Sequence, residues 1–275
     1  MGIEFCPLAS GSSGNCAYLA TENTRVLIDA GLSGVRIETA LRALGVDPQG
    51  LDAVFVTHEH SDHVSGAGII ARRYGLPVFA TEGTLKASRR LLERLKRGQT
   101  VSVISGSAFE FKDIVVRPFT IPHDAGEPVG YNFFHGGLKV TVATDMGHIS
   151  DEGRESISGS DVLLIESNHD MDMLRNGTYP YVLKRRILGD KGHLSNVSCG
   201  VFLSEIASVA GGLRHVYLGH LSEENNDPYL AYETVRTILE ANGVPVNESG
   251  GMSLYLADRH AVSKAVRILS EGEGQ

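Results

Sequence analysis

The chain has 275 residues, 42% of them hydrophobic and 21% charged, and it contains no tryptophan. That balance excludes disorder along its length and a membrane-spanning run of 18 apolar residues, and the opening MGIEFCPLASGSSGN lacks the basic and apolar stretches of a secretory leader. A formal net charge of −8 argues against indiscriminate coating of nucleic acid.

In chain order, Cys16 to Ala20 and Thr24 to Asp29 read as strands of a hairpin turning at Glu22-Asn23. Ser33 to Leu44 has helical spacing and stops at Gly45. Asp52 to Thr57 (DAVFVT) is a buried strand that runs straight into HEHSDH. A helix over Val64 to Tyr74, a strand over Pro77 to Ala80 and a basic helix over Thr84 to Lys96 follow. The middle is rich in Val, Ile and Phe, which predicts strands at 101–104, 109–111, 114–121, 129–134 and 138–144, the last two joined at Gly136-Gly137. The last third predicts strands at 161–165, 215–218 and 252–256. It predicts helices at 181–188, 196–209, 228–241 and 262–269, then a frayed tail, EGEGQ. With no linker and no repeat, one domain over residues 1–275 is expected, built of packed sheets covered by helices.

Two charge features stand out. Residues 72–97 hold eight basic residues (Arg72, Arg73, Lys86, Arg89, Arg90, Arg94, Lys96, Arg97) against two acidic ones, and Lys184, Arg185, Arg186 and Lys191 form a smaller group. Each reads either as a solvated face or as a phosphate-contacting patch. The cysteines Cys6, Cys16 and Cys199 show no metal-site spacing, so reduced thiols and a cytoplasmic location are expected.

The segment His58-Glu59-His60-Ser61-Asp62-His63 carries the chemistry. In extended chain, residues i and i+2 point to one side, so His58 and His60 can grip one ion, while Asp62 and His63 follow a bend and can face a neighbouring site. Imidazole with carboxylate suits zinc, manganese or iron. Further ligand-type residues each end a predicted strand: His123, Asp145 and His220. In layered α/β folds, sites gather beyond the carboxyl ends of strands, so these would converge if those ends share one edge. The loop Ser10-Gly11-Ser12-Ser13-Gly14-Asn15 is either a plain turn or a cradle aiming amides at an anion. His135, His215 and His260 read as structural.

HxHxDH, the Asp29 after VLI, His123, Asp145 and His220, in this order, resemble the metallo-β-lactamase superfamily across essentially the whole chain. LASGSSGNC, IPHDAGEPVGY, TDMGHI, IESNHD and KGHLSN resemble its YycJ/WalJ-type bacterial enzymes, which are regarded as metal-dependent 5′-to-3′ DNA exonucleases or phosphodiesterases. The resemblance implies an α/β (α+β) fold, a four-layer αβ/βα sandwich. It implies two divalent ions (Zn²⁺ or Mn²⁺, with iron a further option), one on His58, His60 and His123 and the other on Asp62, His63 and His220. Asp145 would bridge them and Asp29 would brace the ligand loop. Met146 stands where a small polar residue is expected, on the substrate side.

The implied reaction is hydrolysis of a DNA phosphodiester by a metal-bridging hydroxide, with Asp62 at the centre. Glu166 and His193 resemble a Glu–His pair of tRNA-processing relatives, with His193 as general acid or phosphate contact. Ser12, Ser13, Asn15, His169 and Asn196 are the expected substrate contacts. A small cyclic phosphodiester and a glyoxalase II-like thioester are the alternative substrates. A secreted β-lactamase is disfavoured by the absence of a leader. An RNase-J-like enzyme is disfavoured by the 74 residues between Asp145 and His220, too few for an inserted domain.

Overall fold

The structure is a computed structural model, and it describes residues 1–207, 212–248 and 251–270. Its strands are β1 (Gly2–Ala9), β2 (Cys16–Ala20), β3 (Arg25–Ile28), β4 (Ala53–Phe55), β5 (Val78–Thr81), β6 (Thr100–Val103), β7 (Phe109–Phe111), β8 (Ile114–Thr120), β9 (Val129–His135), β10 (Leu138–Ala143), β11 (Val162–Glu166), β12 (His215–Gly219), β13 (Ser253–Leu256) and β14 (Val266–Leu269). Its helices are α1 (Gly34–Ala43), α2 (Ser61–Val64), α3 (Ala67–Tyr74), α4 (Glu82–Ala87), α5 (Arg89–Leu92), α6 (Asp151–Ile157), α7 (Met171–Asn176), α8 (Tyr181–Ile187), α9 (Asn196–Ala207) and α10 (Pro228–Ala241).

Two seven-stranded sheets result, in the orders β14-β1-β2-β3-β4-β5-β6 and β13-β12-β11-β10-β9-β8-β7. They bury one core between them, in which Phe55 stacks on Phe79 at 4.8 Å and meets Phe133 and Tyr131 edge-on at 5.4 and 5.6 Å. The Tyr131 hydroxyl, buried in this layer, donates to the Val56 carbonyl at 3.0 Å, so no polar group is stranded there. A second core, with Ile37, Leu41 and Ile70, lies between the first sheet and its helices. A third, with Phe202, Leu203, Val235 and Leu239, lies between the second sheet and α9 and α10. Helix, sheet, sheet, helix is the expected four-layer sandwich.

Strand direction places the functional edge. The pairs β3–β4, β4–β5 and β5–β6 are parallel, as are β10–β11, β11–β12 and β12–β13. Their carboxyl ends therefore lie together within each sheet, and Val129 N–H donating to Thr57 O at 3.0 Å ties the start of β9 to the loop after β4.

Three expectations are corrected. The Thr84–Lys96 helix is two short helices, α4 and α5, because the chain turns at Ser88 (ψ 2°) and buries Leu92. The Val262–Leu269 helix is a coil followed by strand β14, paired with β1. Val262, Val266 and Leu269 fit helical spacing, but the observed alternation, Val266 and Ile268 buried and Arg267 and Leu269 exposed, has period two. The Val64–Tyr74 helix is broken after Val64, where Gly66 lies so close to Ala30 and Leu32 that a side chain would strike the Leu32 carbonyl.

Strand β1 and helices α6 and α7 were not anticipated. In β1, Pro7 sits beside a shift of register between Pro7 and Ala9, a place where a strand tolerates the missing N–H. Residues 208 and 209 of the expected 196–209 helix, and the tail 271–275, lie outside the described residues. No helix among the described residues is long and apolar enough to cross a membrane.

Candidate active site

The carboxyl ends of six strands supply the site. Asp29 follows β3 and the HEHSDH loop follows β4; His123 follows β8, Asp145 follows β10, Glu166 ends β11 and His220 follows β12. Asp29, Asp145 and His220 have left-handed backbone (φ 58°, 59° and 52°). Such a conformation costs on the order of 1–3 kcal/mol in a non-glycine residue, and here it turns the chain sharply at each strand end. Gly31 serves the same corner. A side chain there would overlap the Asp62 carbonyl, so only glycine lets the β3–α1 loop pass the ligand loop.

Imidazole nitrogens converge at one end of this cluster. His58 Nε2 lies 3.1 Å from His60 Nδ1, which lies 3.2 Å from His123 Nε2. His58 Nδ1 faces the Thr57 hydroxyl at 3.0 Å and His123 Nδ1 faces the Gly192 carbonyl at 3.3 Å. Those partners take the ring protons and leave the inner nitrogens as lone pairs. Burial, with His63 next in effect, holds His58 well below the ordinary imidazole range, and burial lowers His123 as well, so both are neutral ligands-in-waiting.

The other end is carboxylate-rich. His63 Nε2 lies 3.1 Å from Asp145 Oδ2 and 3.5 Å from Asp62 Oδ2, and His220 Nε2 lies 3.5 Å from Asp62 Oδ2. His63 Nδ1 donates to Asp29 Oδ2 at 2.8 Å, and the same carboxylate accepts from the Thr57 N–H at 2.8 Å. Burial, the largest single effect, would depress His63 and His220, yet the surrounding carboxylates together outweigh it, Asp145 and Asp29 at His63 and Asp145, Asp62 and Glu166 at His220. His63 is raised well above its ordinary range and His220 to about 10. Burial likewise opposes ionisation of Asp62 and Asp145, and the histidines overcome it, keeping both carboxyls ionised.

The donor set fits a divalent cation. His58, His60 and His123 form one group whose ligand atoms all lie within 4.8 Å of one another, and so do Asp62, His63 and His220. Asp145 is grouped with His58 and His63, and also with Glu166, His193 and His220, so it stands between the two ends. Asp145 Oδ2 and His220 Nε2 are buried and make no well-aligned hydrogen bond, their neighbours His63 Nε2 and Asp62 Oδ2 standing 3.1 and 3.5 Å away, and a cation between such groups would satisfy both.

Glu166 is fully buried and accepts four N–H groups. His193 Nδ1 and His220 Nδ1 bond Oε1 at 2.8 and 2.6 Å, and the amides of Met146 and Leu194 bond Oε2 at 2.9 and 3.0 Å. Burial, the largest single effect, raises its pKa, but the charges and hydrogen bonds of His193 and His220 together prevail and leave it at about 2. His193 is the partly exposed member, and with His60, Asp62, Asp145, Ser12, Tyr179 and Arg186 it lines an open cleft of about 320 Å³.

The expected substrate contacts divide. Ser12 lines the cleft, and Ser13 is exposed on the same loop without lining it. Asn15 is buried and braces the site. Its Oδ1 accepts the Gly11 N–H at 2.9 Å and its Nδ2 lies 3.3 Å from Asp62 Oδ2 and 3.0 Å from His63 Nε2. With Gly14 N–H also turned onto Gly11 O, the loop aims these amides inward. Asn196 is buried and bonded to Ser167 and Asn226. His169 is 1% exposed, and burial lowers it to about 4. Met146 packs into the core beneath α9 and forms no wall of the cleft. Of the histidines read as structural, His135 bonds Glu22 at 3.0 Å and the Asp113 carbonyl at 2.7 Å, and His215 stacks on Tyr255.

Sequence reasoning missed Thr57, Ser10 and Tyr179. The Thr57 hydroxyl touches Asp29, His58 and His63, and the Ser10 hydroxyl accepts the His220 N–H at 2.8 Å. Arg186, noted only as part of a charge group, pairs with Asp124 at 2.5 and 3.1 Å on the cleft rim.

Residues 24–214 match the family model described as Beta-lactamase superfamily domain. The chain belongs to the beta-lactamase superfamily. Within this superfamily it is 40% identical to "Exodeoxyribonuclease YycJ" of Bacillus anthracis over 249 residues, 90% of this chain and 94% of the relative. It is also 40% identical to "Exodeoxyribonuclease WalJ" of Streptococcus pneumoniae serotype 2 (strain D39) over 237 residues, 86% of this chain and 87% of the relative. Among solved structures, the metallo-beta-lactamase fold protein YhfI from Bacillus subtilis superimposes with a TM-score of 0.71 at 12% identity, covering 98% of this chain and 100% of that one. At that identity the match speaks for the superfamily fold alone.

Proposed function

We propose that the chain is a metal-dependent DNA exonuclease, acting 5′ to 3′, that hydrolyses phosphodiesters in the cleft at the strand ends. The substrate class rests on the two exodeoxyribonucleases that share 40% of its residues over most of both chains. The observation that carries the chemistry is His193, held by a buried carboxylate at 2.8 Å and opening on the cleft beside the convergent ligand set.

In this reading His58, His60 and His123 hold one divalent ion, Zn²⁺ or Mn²⁺, and Asp62, His63 and His220 hold a second, with Asp145 serving both. When bound, such ions lower the pKa of water and neutralise charge on the phosphoryl oxygens. The chain's own residues do the rest. Glu166 fixes the His193 ring through Nδ1, so that Nε2 is the atom left to give a proton to the departing sugar oxygen. Burial opposes protonation of His193, but the Glu166 charge raises its pKa above the ordinary value, which suits an acid. Asp29 and Thr57 hold His63 and His58 in register, and Arg186 on the rim, whose Nε–Nη2 edge is taken by Asp124, brings a fixed positive charge to a phosphate in the cleft.

Metal content with activity on labelled DNA tests the proposal. Metal-loaded protein should carry two ions per chain, degrade 5′-labelled strands from that end and cleave bis-p-nitrophenyl phosphate slowly. Asp145→Ala should lose both activities and weaken both ions. Turnover of S-lactoylglutathione without any phosphodiester cleavage would overturn the reading in favour of a thioester hydrolase.

A further inference from the structure

A second cavity of about 400 Å³ lies next to the cleft and holds none of the metal-ligating residues. Its walls are the chain leaving β12 and the chain leaving β13, and Ser222 lines both spaces. The loop after β1 divides them, with Ser10 facing the cavity and Ser12 the cleft. Neighbouring strands lie about 4.8 Å apart. Since His220 leaves β12 and Ala257 leaves the adjoining β13, the cavity sits one strand over from the ligand set.

Its surface is mixed, with Asn226, Asp258 and His260 lining it beside an apolar wall and a guanidinium. Leu221, Leu256 and Ala257 give apolar walls. Arg259 bounds another side, with Nη1 2.6 Å from Glu223 Oε2 and Nη2 2.6 Å from the Leu221 carbonyl, and its side chain is only 16% exposed. A guanidinium fixed in this way beside apolar walls suits a flat heteroaromatic ring, by stacking and by hydrogen bonds to its edge. The volume is within the range of sites for small organic molecules.

We propose that this cavity is a nucleobase pocket, which takes the base of the nucleotide adjoining the scissile phosphate while that phosphate lies in the cleft. The proposal rests on the reading of the cleft as a DNA phosphodiesterase. Base–surface stacking tolerates every base, so the pocket would position a strand end without selecting sequence.

Binding of dAMP, deoxyribose 5-phosphate and inorganic phosphate to metal-loaded protein tests it by calorimetry, without turnover. Stacking predicts that dAMP binds about tenfold more tightly than deoxyribose 5-phosphate. Arg259→Ala and Leu256→Trp should each shrink that ratio below about threefold, a size set by the same stacking contribution. Inorganic phosphate affinity reports whether the cleft has kept its shape in each variant. Equal affinity of wild-type protein for dAMP and deoxyribose 5-phosphate would overturn the pocket. So would an undiminished ratio in both variants. A parallel arm uses DNA with single abasic nucleotides at its terminal positions. Cleavage unaffected by base loss at every position refutes the pocket and leaves the nuclease reading standing. Failure to cleave any DNA refutes the nuclease reading instead, and the dAMP comparison then still decides the pocket.

Discussion

Glu166 is tightly constrained, because it accepts from four N–H donors at once. Glutamine has the same size but sets an NH₂ group against two of those donors, whichever way it is flipped. Glu166→Gln should therefore lower stability by about 1–3 kcal/mol, read in urea melts, and lower kcat/KM on DNA by about 10²-fold or more. Lys139 offers a pH test away from the site. Burial lowers it from 10.5 to about 8, while its amine donates to the Ser156 and Ser158 carbonyls at 2.6 and 2.7 Å. Between those two values the unfolded chain binds more protons than the folded one, so this group makes stability rise with pH across that window. Relative to Lys139→Met, wild-type protein should gain stability from pH 8 to 10.5, and parallel urea midpoints would refute this. At this scale the sequence was readable where chemistry admits few residue types. Several histidines and aspartates gathered at strand ends point together to ligation, although singly they do not, since Asp29 braces His63 and His135 ends β9 as a structural residue, whereas Thr57 and Ser10 carry hydroxyls that serve equally well in any turn.

Elements were legible where the apolar period was unambiguous, as in α1, β4 and β8 to β12, and illegible where two periods fitted the same few residues, as in β14. The basic segment shows what such an error changes. Read as one helix, Thr84 to Lys96 would carry one charged face, but the turn at Ser88 splits it, and the eight basic residues of the segment are all exposed around α3, α4 and α5. It remains joined to the site. Glu127 accepts the Gly83 N–H at 2.8 Å, and the neighbouring Gly126 N–H donates to Glu59 of the ligand loop at 2.7 Å. Reversing charge at Arg89 and Arg90 together should weaken binding of long duplex DNA and reduce its salt slope by roughly 0.9 per lost phosphate contact. Cleavage of bis-p-nitrophenyl phosphate should stay within twofold, roughly the effect of a surface change distant from the chemistry. Equal losses on both substrates would mean that the segment supports the fold instead. Within the smaller basic group the roles separate, since Lys184 caps the end of α7 through the Arg175 and Gly177 carbonyls and Arg186 faces the cleft.

Across the whole molecule, the candidate ligands are shared between the sheets, with His58, His60, Asp62 and His63 leaving the first and His123, Asp145 and His220 the second. Cations held there would fasten one sheet to the other, so under the proposed function chelation should lower Tm, by about 2–4 °C for each kcal/mol of binding lost. An unchanged melting curve in excess chelator, with metal removal verified, would contradict that. The first sheet has another dependence, one of time. Its strand β1 pairs with β14, Gly2 opposite Leu269, and Ser270 N–H reaches the Met1 carbonyl at 3.1 Å. During synthesis, the edge of β1 that β14 covers waits open until Val266–Leu269 has emerged, some two hundred residues after the HEHSDH loop has been made. A copy interrupted before β14 offers the bare edge of β1 as a template for aggregation.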